Sequence, residues 1–399
     1  MTNKKLGIAI DVGTTTVALH LTDLETETRL ATTSGANAQS IYGADVTSRI
    51  RYCGANGHET VTLTIREQIS SMILDACAAS GTQPEDIVKV SIAANTIMQH
   101  LVAGYSPVAM GVVPFTTTSL FGEELDAWEG LPAAENARVY YTPAISAYVG
   151  GDTTAGLLAA GFENIDKPAL FIDIGTNGEI VLKHEGIYYC CATAAGPAFE
   201  GGEIAMGMAA ESGAIDHVKF SNGIEFSVIG GVAPCGMCGS GLLDTLAVLL
   251  DIEAVNQSGR LLDKDEFWLT EKDGGIYITA MDVRKLQLAK AAIAAGIQVL
   301  LHYAGITVED IDLLALAGGF GSYMDLGSAA RIGLFPEKLL PAAKALGNTA
   351  GEGAAIALCS ESARKRLKNI RAHCEYIELS SSAFFNDKFV EQMTFERND

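Results

Sequence analysis

Gly7–Leu19 reads G-I-A-I-D-V-G-T-T-T-V-A-L. Its apolar residues predict a buried strand that ends at Asp11, followed by a tight turn and a returning strand. Gly13 permits the turn and leaves room for an anion. Asp11 stands at the strand end, where a carboxylate can hold a metal ion through water. Three threonines add hydroxyl and N–H groups at the tip: Thr14, Thr15 and Thr16. The stretch therefore predicts a phosphate-binding hairpin.

A second copy of this pattern follows a domain length later. Leu170–Leu182 reads L-F-I-D-I-G-T-N-G-E-I-V-L, with Asp173 in the place of Asp11. The residues that form its predicted tip are Gly175, Thr176 and Asn177. A single D-x-G-T motif is compatible with an ordinary turn, but two copies after apolar strands favour a duplicated nucleotide-binding unit.

Composition restricts the classes of function. The chain has 399 residues, 48% hydrophobic and 19% charged, which suits two well-packed domains. The net charge of −21 disfavours nucleic acid and anionic membrane surfaces as partners. We see neither a signal peptide nor an apolar run long enough to span a bilayer, and expect a cytoplasmic location. The eight cysteines are scattered, as expected for small buried hydrophobic residues.

A polar stretch at Asn164–Pro168 marks the expected domain boundary. We predict a first lobe over residues 1–165 and a second lobe over residues 166–399. The C-terminal helix is expected either to stay with the second lobe or to pack back on the first.

Several other segments carry candidate binding residues. Glu200 lies in a Gly-rich stretch and is either a cleft residue or a solvated loop acid. A helix start after Cys235-x-x-Cys238 offers N–H groups for an anion or a ribose, from Gly239, Ser240 and Gly241. The two cysteines themselves are either structural thiols or a metal or redox pair. A turn directly after a predicted strand is either an adenine slot or a tight turn, and it comprises Gly318, Gly319, Phe320 and Gly321.

Two segments of the first half have open interpretations. Asn37–Ile50, in which Tyr42, Asp45 and Arg49 recur at helical spacing, predicts a capped helix with a solvated face or a wall facing the phosphate hairpin. Asn95 is expected to be either a helix N-cap or a cleft residue.

The ordered motifs resemble a known family along nearly the whole chain. They include D-V-G-T-T-T-V, Y-G-A-D-V-T-S-R-I, A-A-N-T-I-M-Q-H-L, A-A-G-P-A-F-E-G-G, C-G-S-G-L-L-D and A-G-G-F-G. The set is similar to the ATP-dependent reductive activators of corrinoid proteins, within the superfamily of actin, sugar kinases and heat-shock ATPases. The resemblance implies an α/β fold of two ribonuclease-H-like, actin-like ATPase domains that face each other across a nucleotide cleft.

The resemblance also implies roles for the candidate residues. Asp11 and Asp173 would manage Mg²⁺ and its water, and the two hairpin tips would hold the phosphates of ATP. Asp173 or Glu200 would orient the attacking water. The segments 239–241 and 318–321 would contact the nucleoside.

The implied activity is to use ATP to drive the reduction of inactive cob(II)alamin in a corrinoid carrier protein. Family members commonly carry a ferredoxin-like iron–sulfur domain ahead of this region. The first strand here begins at about Leu6, so we expect no iron–sulfur cluster in this chain and a separate iron–sulfur or flavin protein as electron donor. Whether the chain forms a homodimer is left open.

Three alternatives remain at the level of sequence. An activator of 2-hydroxyacyl-CoA dehydratases would share the fold and hold a cluster between two subunits, for which Cys235 and Cys238 are the candidates. A small-molecule kinase would need a substrate motif that we do not find. An ATP-binding scaffold without turnover is disfavoured by the retention of Asp11 and Asp173.

Overall fold

The computed structural model describes residues 5–262, 265–271, 275–321 and 323–396. The chain forms two compact units. The first comprises residues 1–165 and 348–376, and the second comprises residues 166–347 and 377–399.

Seventeen strands are present in the described residues. They are β1 Leu6–Val12, β2 Thr16–Asp23, β3 Thr28–Ala36, β4 Ile87–Ala94, β5 Glu124–Asp126, β6 Arg138–Tyr141, β7 Ala169–Ile174, β8 Gly178–His184, β9 Ile187–Thr193, β10 Ala214–Phe220, β11 Ile224–Val228, β12 Gly236–Met237, β13 Glu266–Thr270, β14 Ile276–Thr279, β15 Leu313–Ala317, β16 Ala343–Gly347 and β17 Cys374–Tyr376.

Ten α-helices accompany them in the same part of the chain. They are α1 Val46–Asn56, α2 Glu59–Ser80, α3 Thr96–Ala103, α4 Gly151–Ala159, α5 Gly239–Asp251, α6 Ala280–Ala304, α7 Leu326–Arg331, α8 Thr349–Cys359, α9 Glu361–Ala372 and α10 Ala383–Glu391.

The first unit is built on a mixed sheet with the strand order β3-β2-β1-β4-β6-β5. The strands β1, β2 and β3 pair antiparallel, whereas β1, β4 and β6 pair parallel. The β1 strand lies inside the sheet, and six of its seven residues are buried, which explains its nearly continuous apolar sequence. Its carboxyl end carries Asp11 and leads into the first predicted hairpin.

The strands of the second unit repeat this arrangement in the order β16-β15-β7-β8-β9. The strands β7, β8 and β9 pair antiparallel, and β7, β15 and β16 pair parallel. The second D-x-G-T hairpin therefore occupies the same place in its sheet as the first. The internal repeat read from the sequence is thus a repeat of topology, and the predicted mixed α/β fold class is confirmed.

The segment Asn348–Tyr376 departs from the predicted lobes, because it belongs to the first unit and not to the second. The reason is close packing by α8. A Cβ at Gly353 of α8 would lie 2.0 Å from the carbonyl oxygen of Ala155 in α4, and a Cβ at Gly7 would lie 2.9 Å from a methyl of Leu358. The helix α10 stays in the second unit, where it packs against α6.

Helix α6 begins at a capping box, and helix α2 leaves part of its apolar surface exposed. The Thr279–Asp282 capping box at the start of α6 is present, with both reciprocal hydrogen bonds. In α2, Leu63 and Leu74 are apolar yet lie 57% and 50% exposed. The helix buries a different stripe that contains Val61, Ile65 and Ile69.

The helix α6 is the one helix among the described residues that is long and apolar enough to cross a bilayer by length and composition. Its most apolar stretch is 78% buried inside the protein, against the sheet of the second unit. Burial in this core accounts for its apolar sequence.

Candidate functional site

The first hairpin closes tightly at Gly13. The N–H of Gly13 donates to the carbonyl of Thr16 over 2.9 Å. A Cβ at Gly13 would lie 2.7 Å from that carbonyl oxygen, so any side chain here would open the turn. Asp11 pairs with Ala18 across the hairpin and with Ala93 on the parallel strand β4. The end of β1 therefore places the Asp11 carboxylate at the base of the hairpin tip.

Asp11 is a perturbed acid. Burial raises the pKa of Asp11 to about 7, a hydrogen bond from Asn348 opposes this rise, and the charge of Asp152 adds to it. The amide nitrogen of Asn348 lies 2.8 Å from Oδ2 of Asp11. Burial likewise raises the pKa of Asp152 to about 6, against bonds from Thr153. Asp11 and Asp152 interact electrostatically, and both resist ionisation. A divalent cation bound beside them would favour the ionised form of both carboxyl groups.

Asn348 and Asp152 were not among the predicted site residues. Asp152 follows the glycine pair Gly150–Gly151 at the start of α4, a signal that could have suggested a site. Asn348 stands far from Asp11 in the sequence, and it carries no local signal beyond its role as the N-cap of α8.

Asn95 is a helix N-cap, as one of its two interpretations predicted, and it also contacts the first hairpin. Its side-chain oxygen accepts from the N–H of Met98, which caps α3. Its amide nitrogen donates to the hydroxyl of Thr14 over 3.1 Å. Because Asn95 follows the last residue of β4, the sheet brings the cap beside the hairpin tip.

The second hairpin has more open space than the first. The N–H of Gly175 donates to the carbonyl of Asn177 over 3.0 Å. A Cβ at Gly175 would meet nothing closer than 3.9 Å, where it would approach the carbonyl of Asn177 and Oε1 of Glu200. The glycine is therefore not needed to close the turn, and the room beside it is available for a ligand.

Glu200 is held beside this hairpin. The hydroxyl of Thr176 donates to Oε2 of Glu200 over 2.7 Å. Glu200 ends a short 3₁₀ turn that begins at Pro197. The structure thus brings Glu200 together with the second hairpin, which a solvated loop acid would not require.

Gly318 links the predicted nucleoside segment to Asp173. Its φ is +94°, and a Cβ there would lie 2.6 Å from Oδ1 of Asp173. By contrast, a Cβ at the exposed Gly319 would meet no atom within 4 Å. The first glycine is therefore required by the fold, and the second leaves open surface for a ligand.

The glycines that begin α5 have a structural explanation. A Cβ at Gly239 would lie 1.8 Å from the carbonyl of Phe199, and one at Gly241 would lie 2.2 Å from the carbonyl of Ile215. Phe320 stacks on Phe199, with ring centroids 5.4 Å apart. These contacts bring the segments 239–241 and 318–321 together, and nucleoside contact by them stays a prediction.

The two cysteines of the C-x-x-C sequence differ in environment. Cys235 is exposed, whereas Cys238 is buried, with its sulfur 3.3 Å from the hydroxyl of Ser240. Within residues 5–262, 265–271, 275–321 and 323–396, no three His, Cys, Asp or Glu side chains are grouped to hold a metal ion.

A cavity of about 1150 Å³ lies elsewhere in the second unit. His217 lines it, and Nδ1 of His217 lies 3.0 Å from Oδ2 of the buried Asp244. Its walls include β10, β11, α5 and α7, and none of the hairpin residues. No motif singled out in the sequence indicates this cavity.

Comparison with known proteins places these features in a family. Residues 6–165 match the family described as RACo middle region. Residues 167–399 match the family described as the C-terminal domain of RACo, the ASKHA domain. The chain belongs to the RACo family. The actin-like ATPase domain that the family resemblance implies is thereby confirmed for the second half of the chain.

Individual relatives of this RACo family member are named for corrinoid activation. The chain is 34% identical to the corrinoid activation enzyme RamQ of Eubacterium limosum, over 98% of this chain and 70% of that protein. It is 28% identical to the [Co(II) methylated amine-specific corrinoid protein] reductase of Methanosarcina barkeri, over 83% of this chain and 66% of that protein.

A solved structure agrees with these relatives. The reductive activator for corrinoid, iron–sulfur protein superposes with a TM-score of 0.90 at 36% identity, over 99% of this chain and 66% of that chain. This chain therefore spans about two thirds of the length of the proteins that it resembles. The family resemblance stated from the motifs is confirmed.

Proposed function

We propose that this chain is an ATP-hydrolysing activator that drives the reduction of cob(II)alamin in a corrinoid carrier protein. The observation that carries the proposal is the pair of acid-tipped hairpins at equivalent places in two sheets of the same topology. The relatives named for corrinoid activation support the choice of client. The cytoplasm is the proposed location.

The residues at both hairpins fit ATP and Mg²⁺. Asp11 and Asp173 would hold the ion through its water, and the tips 13–16 and 175–177 would hold the phosphates through N–H and hydroxyl groups. The open space at Gly175 and Gly319 fits a bound nucleotide. When bound, Mg²⁺ would neutralise phosphate charge. Asp11, whose pKa lies near 7, releases its proton readily beside a cation.

Glu200 is the proposed residue that orients the attacking water. Oε2 of its carboxylate accepts from Thr176, a residue of the phosphate hairpin itself. The bond holds the carboxylate beside the hairpin tip that is proposed to bind phosphate. Positioning of this kind is the main demand of phosphoryl transfer.

The partners complete the proposal. The client is a corrinoid carrier whose cobalt has oxidised to cob(II)alamin, and a separate iron–sulfur or flavin protein supplies the electron. Energy from ATP use makes the unfavourable one-electron reduction of cobalt possible. The net charge of −21 does not favour nucleic acid or membrane partners.

The decisive experiment measures ATP hydrolysis and cobalt reduction together. Purified protein is incubated with Mg-ATP, a low-potential donor and a cob(II)alamin-loaded carrier, and cobalt is followed by its absorption spectrum. We expect the carrier to stimulate hydrolysis and ATP to be required for reduction. Asp173→Asn should abolish both. Hydrolysis that is indifferent to every carrier tested would overturn the client, and unchanged hydrolysis in Asp173→Asn would overturn the site.

A metal analysis separates the closest alternative. Iron and acid-labile sulfide are measured in protein purified without oxygen. A cluster that bridges two subunits and is lost in Cys238→Ala would support the dehydratase-activator alternative instead.

A further inference from the structure

Arg49 of α1 is a fully buried arginine beneath the first hairpin. Its side chain has no solvent exposure, and it is among the largest fully buried side chains of the described residues. Its Nη2 donates to the carbonyl of Thr14 over 2.7 Å, and its Nε donates to the carbonyl of Gly43 over 3.0 Å. The guanidinium thus joins the hairpin tip to the loop that precedes α1.

The charge of Arg49 has no ion-pair partner among the residues that the structure describes. No carboxylate there lies within 4.0 Å of its nitrogens, and its other near neighbours are the amide oxygen of Gln39 and the sulfur of Met98. Burial lowers the pKa of Arg49 to about 10, and the charge of Asp45 opposes this effect. The side chain therefore stays cationic at neutral pH, in a place where an unpaired charge is costly.

Three successive carbonyls of the hairpin tip are tied to the protein. The carbonyl of Gly13 accepts from the amide of Asn37 over 2.8 Å, that of Thr14 accepts from Arg49, and that of Thr15 accepts from the N–H of Asn37 over 2.8 Å. In a trans peptide the N–H points opposite to the carbonyl of the preceding residue. The bonds therefore direct three successive N–H groups, those of residues 14–16, away from these partners.

We propose that Arg49 is a positioning residue for the phosphates of ATP. It holds the Thr14–Thr15 peptide so that successive N–H groups of the tip face the bound polyphosphate, and its buried charge stabilises that anion at short range. Successive N–H groups are a common anion-binding arrangement. This inference rests on the proposed nucleotide site and adds to it a residue that makes no contact with the nucleotide itself.

The test compares Arg49 with a matched arginine of the same unit. Arg66 is partly buried, whereas Arg49 is fully buried, but it likewise donates through Nε to a backbone carbonyl, that of Val102, over 2.9 Å, and it lies over the ring of Trp128. Within the described part of the chain, no hydrogen bond or ion pair joins Arg66 to the hairpin. Arg49→Met, Arg49→Lys and Arg66→Met are compared with the unaltered chain by thermal denaturation and by equilibrium titration with Mg-ATP.

We expect Arg49→Met and Arg66→Met to lower the melting temperature, but only Arg49→Met to weaken ATP binding, by about 10- to 100-fold. Arg49→Lys keeps the charge but not the planar geometry, so we expect a smaller loss of affinity. Arg49→Met or Arg49→Lys with the affinity of the unaltered chain would overturn the inference. It would also be overturned if both Arg49 variants failed to fold while Arg66→Met folded. Failure of the unaltered chain to bind ATP would instead overturn the proposed function.

Discussion

The amide nitrogen of Asn348 donates a hydrogen bond of 2.8 Å to Oδ2 of Asp11. The two residues belong to the same unit, although almost the whole second unit separates them in the sequence. The same Asn348 caps α8, because its side-chain oxygen accepts from the N–H of Gly351 over 2.9 Å. One side chain therefore both begins a helix and tunes the first acid of the proposed site.

Replacing Asn348 with serine should shift the pH dependence of ATP hydrolysis. Serine remains a good N-cap but is too short to reach Asp11. The bond from Asn348 lowers the pKa of Asp11, so its loss should raise that pKa further. We expect the acidic limb of kcat/KM against pH to move to higher pH in Asn348→Ser. Asn348→Ala should show the same shift with an additional loss of stability of about 1 kcal/mol from the missing cap. An unchanged profile in both variants would show that the bond does not tune the acid.

Asp11 should make the protein less stable as the pH rises. Burial raises its pKa from 3.8 to about 7 in the folded protein, so folding favours the protonated carboxyl group. The resulting gain in the free energy of unfolding is complete below about pH 4 and is lost as the pH rises through about 7. Asp11→Asn should therefore raise the free energy of unfolding at pH 8, on the order of 1–3 kcal/mol, with little effect at pH 4. Asp75→Asn, at an exposed aspartate of the same unit, is the control. Chemical denaturation across this range gives the answer, and equal gains at both pH values would contradict it.

Gly175→Ala should weaken ATP binding without harming the fold. The new methyl group would meet nothing closer than 3.9 Å in the protein, but it would occupy the space beside Glu200 that we assign to phosphate. We expect an unchanged melting temperature and a loss of affinity of roughly tenfold or more. Gly35→Ala is a matched control, since its methyl would likewise meet only one atom, at 3.9 Å. Full affinity in Gly175→Ala would remove the second hairpin from the site.

Glu200→Gln should reduce turnover more than binding. The glutamine can still accept from Thr176, but it is a far weaker base for the attacking water. We expect kcat to fall by about 100-fold, with a small change in the KM for ATP. Glu203→Gln alters an exposed glutamate three residues further along and should behave as the unaltered protein does. If kcat is unchanged, Asp173 becomes the residue that orients the water.

Local patterns predicted the two hairpins, their repetition and the helix cap at Asn95. Each depends on residues that are neighbours in sequence, as Asn95 and Met98 are. The Asp11–Asn348 bond could not be predicted in this way, because it depends on a helix that returns from the far end of the chain. The exposure of Leu63 and Leu74 could not be predicted either, because α2 has apolar residues on several sides and its sequence does not reveal which side is covered.

Glycine patterns show a further limit of sequence. The motifs around Gly239 and Gly319 look equally suited to a nucleoside. In the structure, Gly239 is required because the carbonyl of Phe199 approaches it, whereas Gly319 borders open space. A glycine that makes room for backbone and one that makes room for a ligand are identical in the sequence.

The return of α8 to the first unit has a consequence for how the protein is made. This helix covers an alanine-rich face of the first sheet through Ala350, Ala354 and Leu358, which pack with Ala9 and Ala93. On the ribosome, that face stays uncovered until the nascent chain has emerged past residue 359. The first unit therefore cannot finish folding until α8 has been synthesised, although most of its residues precede those of the second unit. A fragment cut after Ile165 would leave this apolar face exposed and should be prone to aggregation.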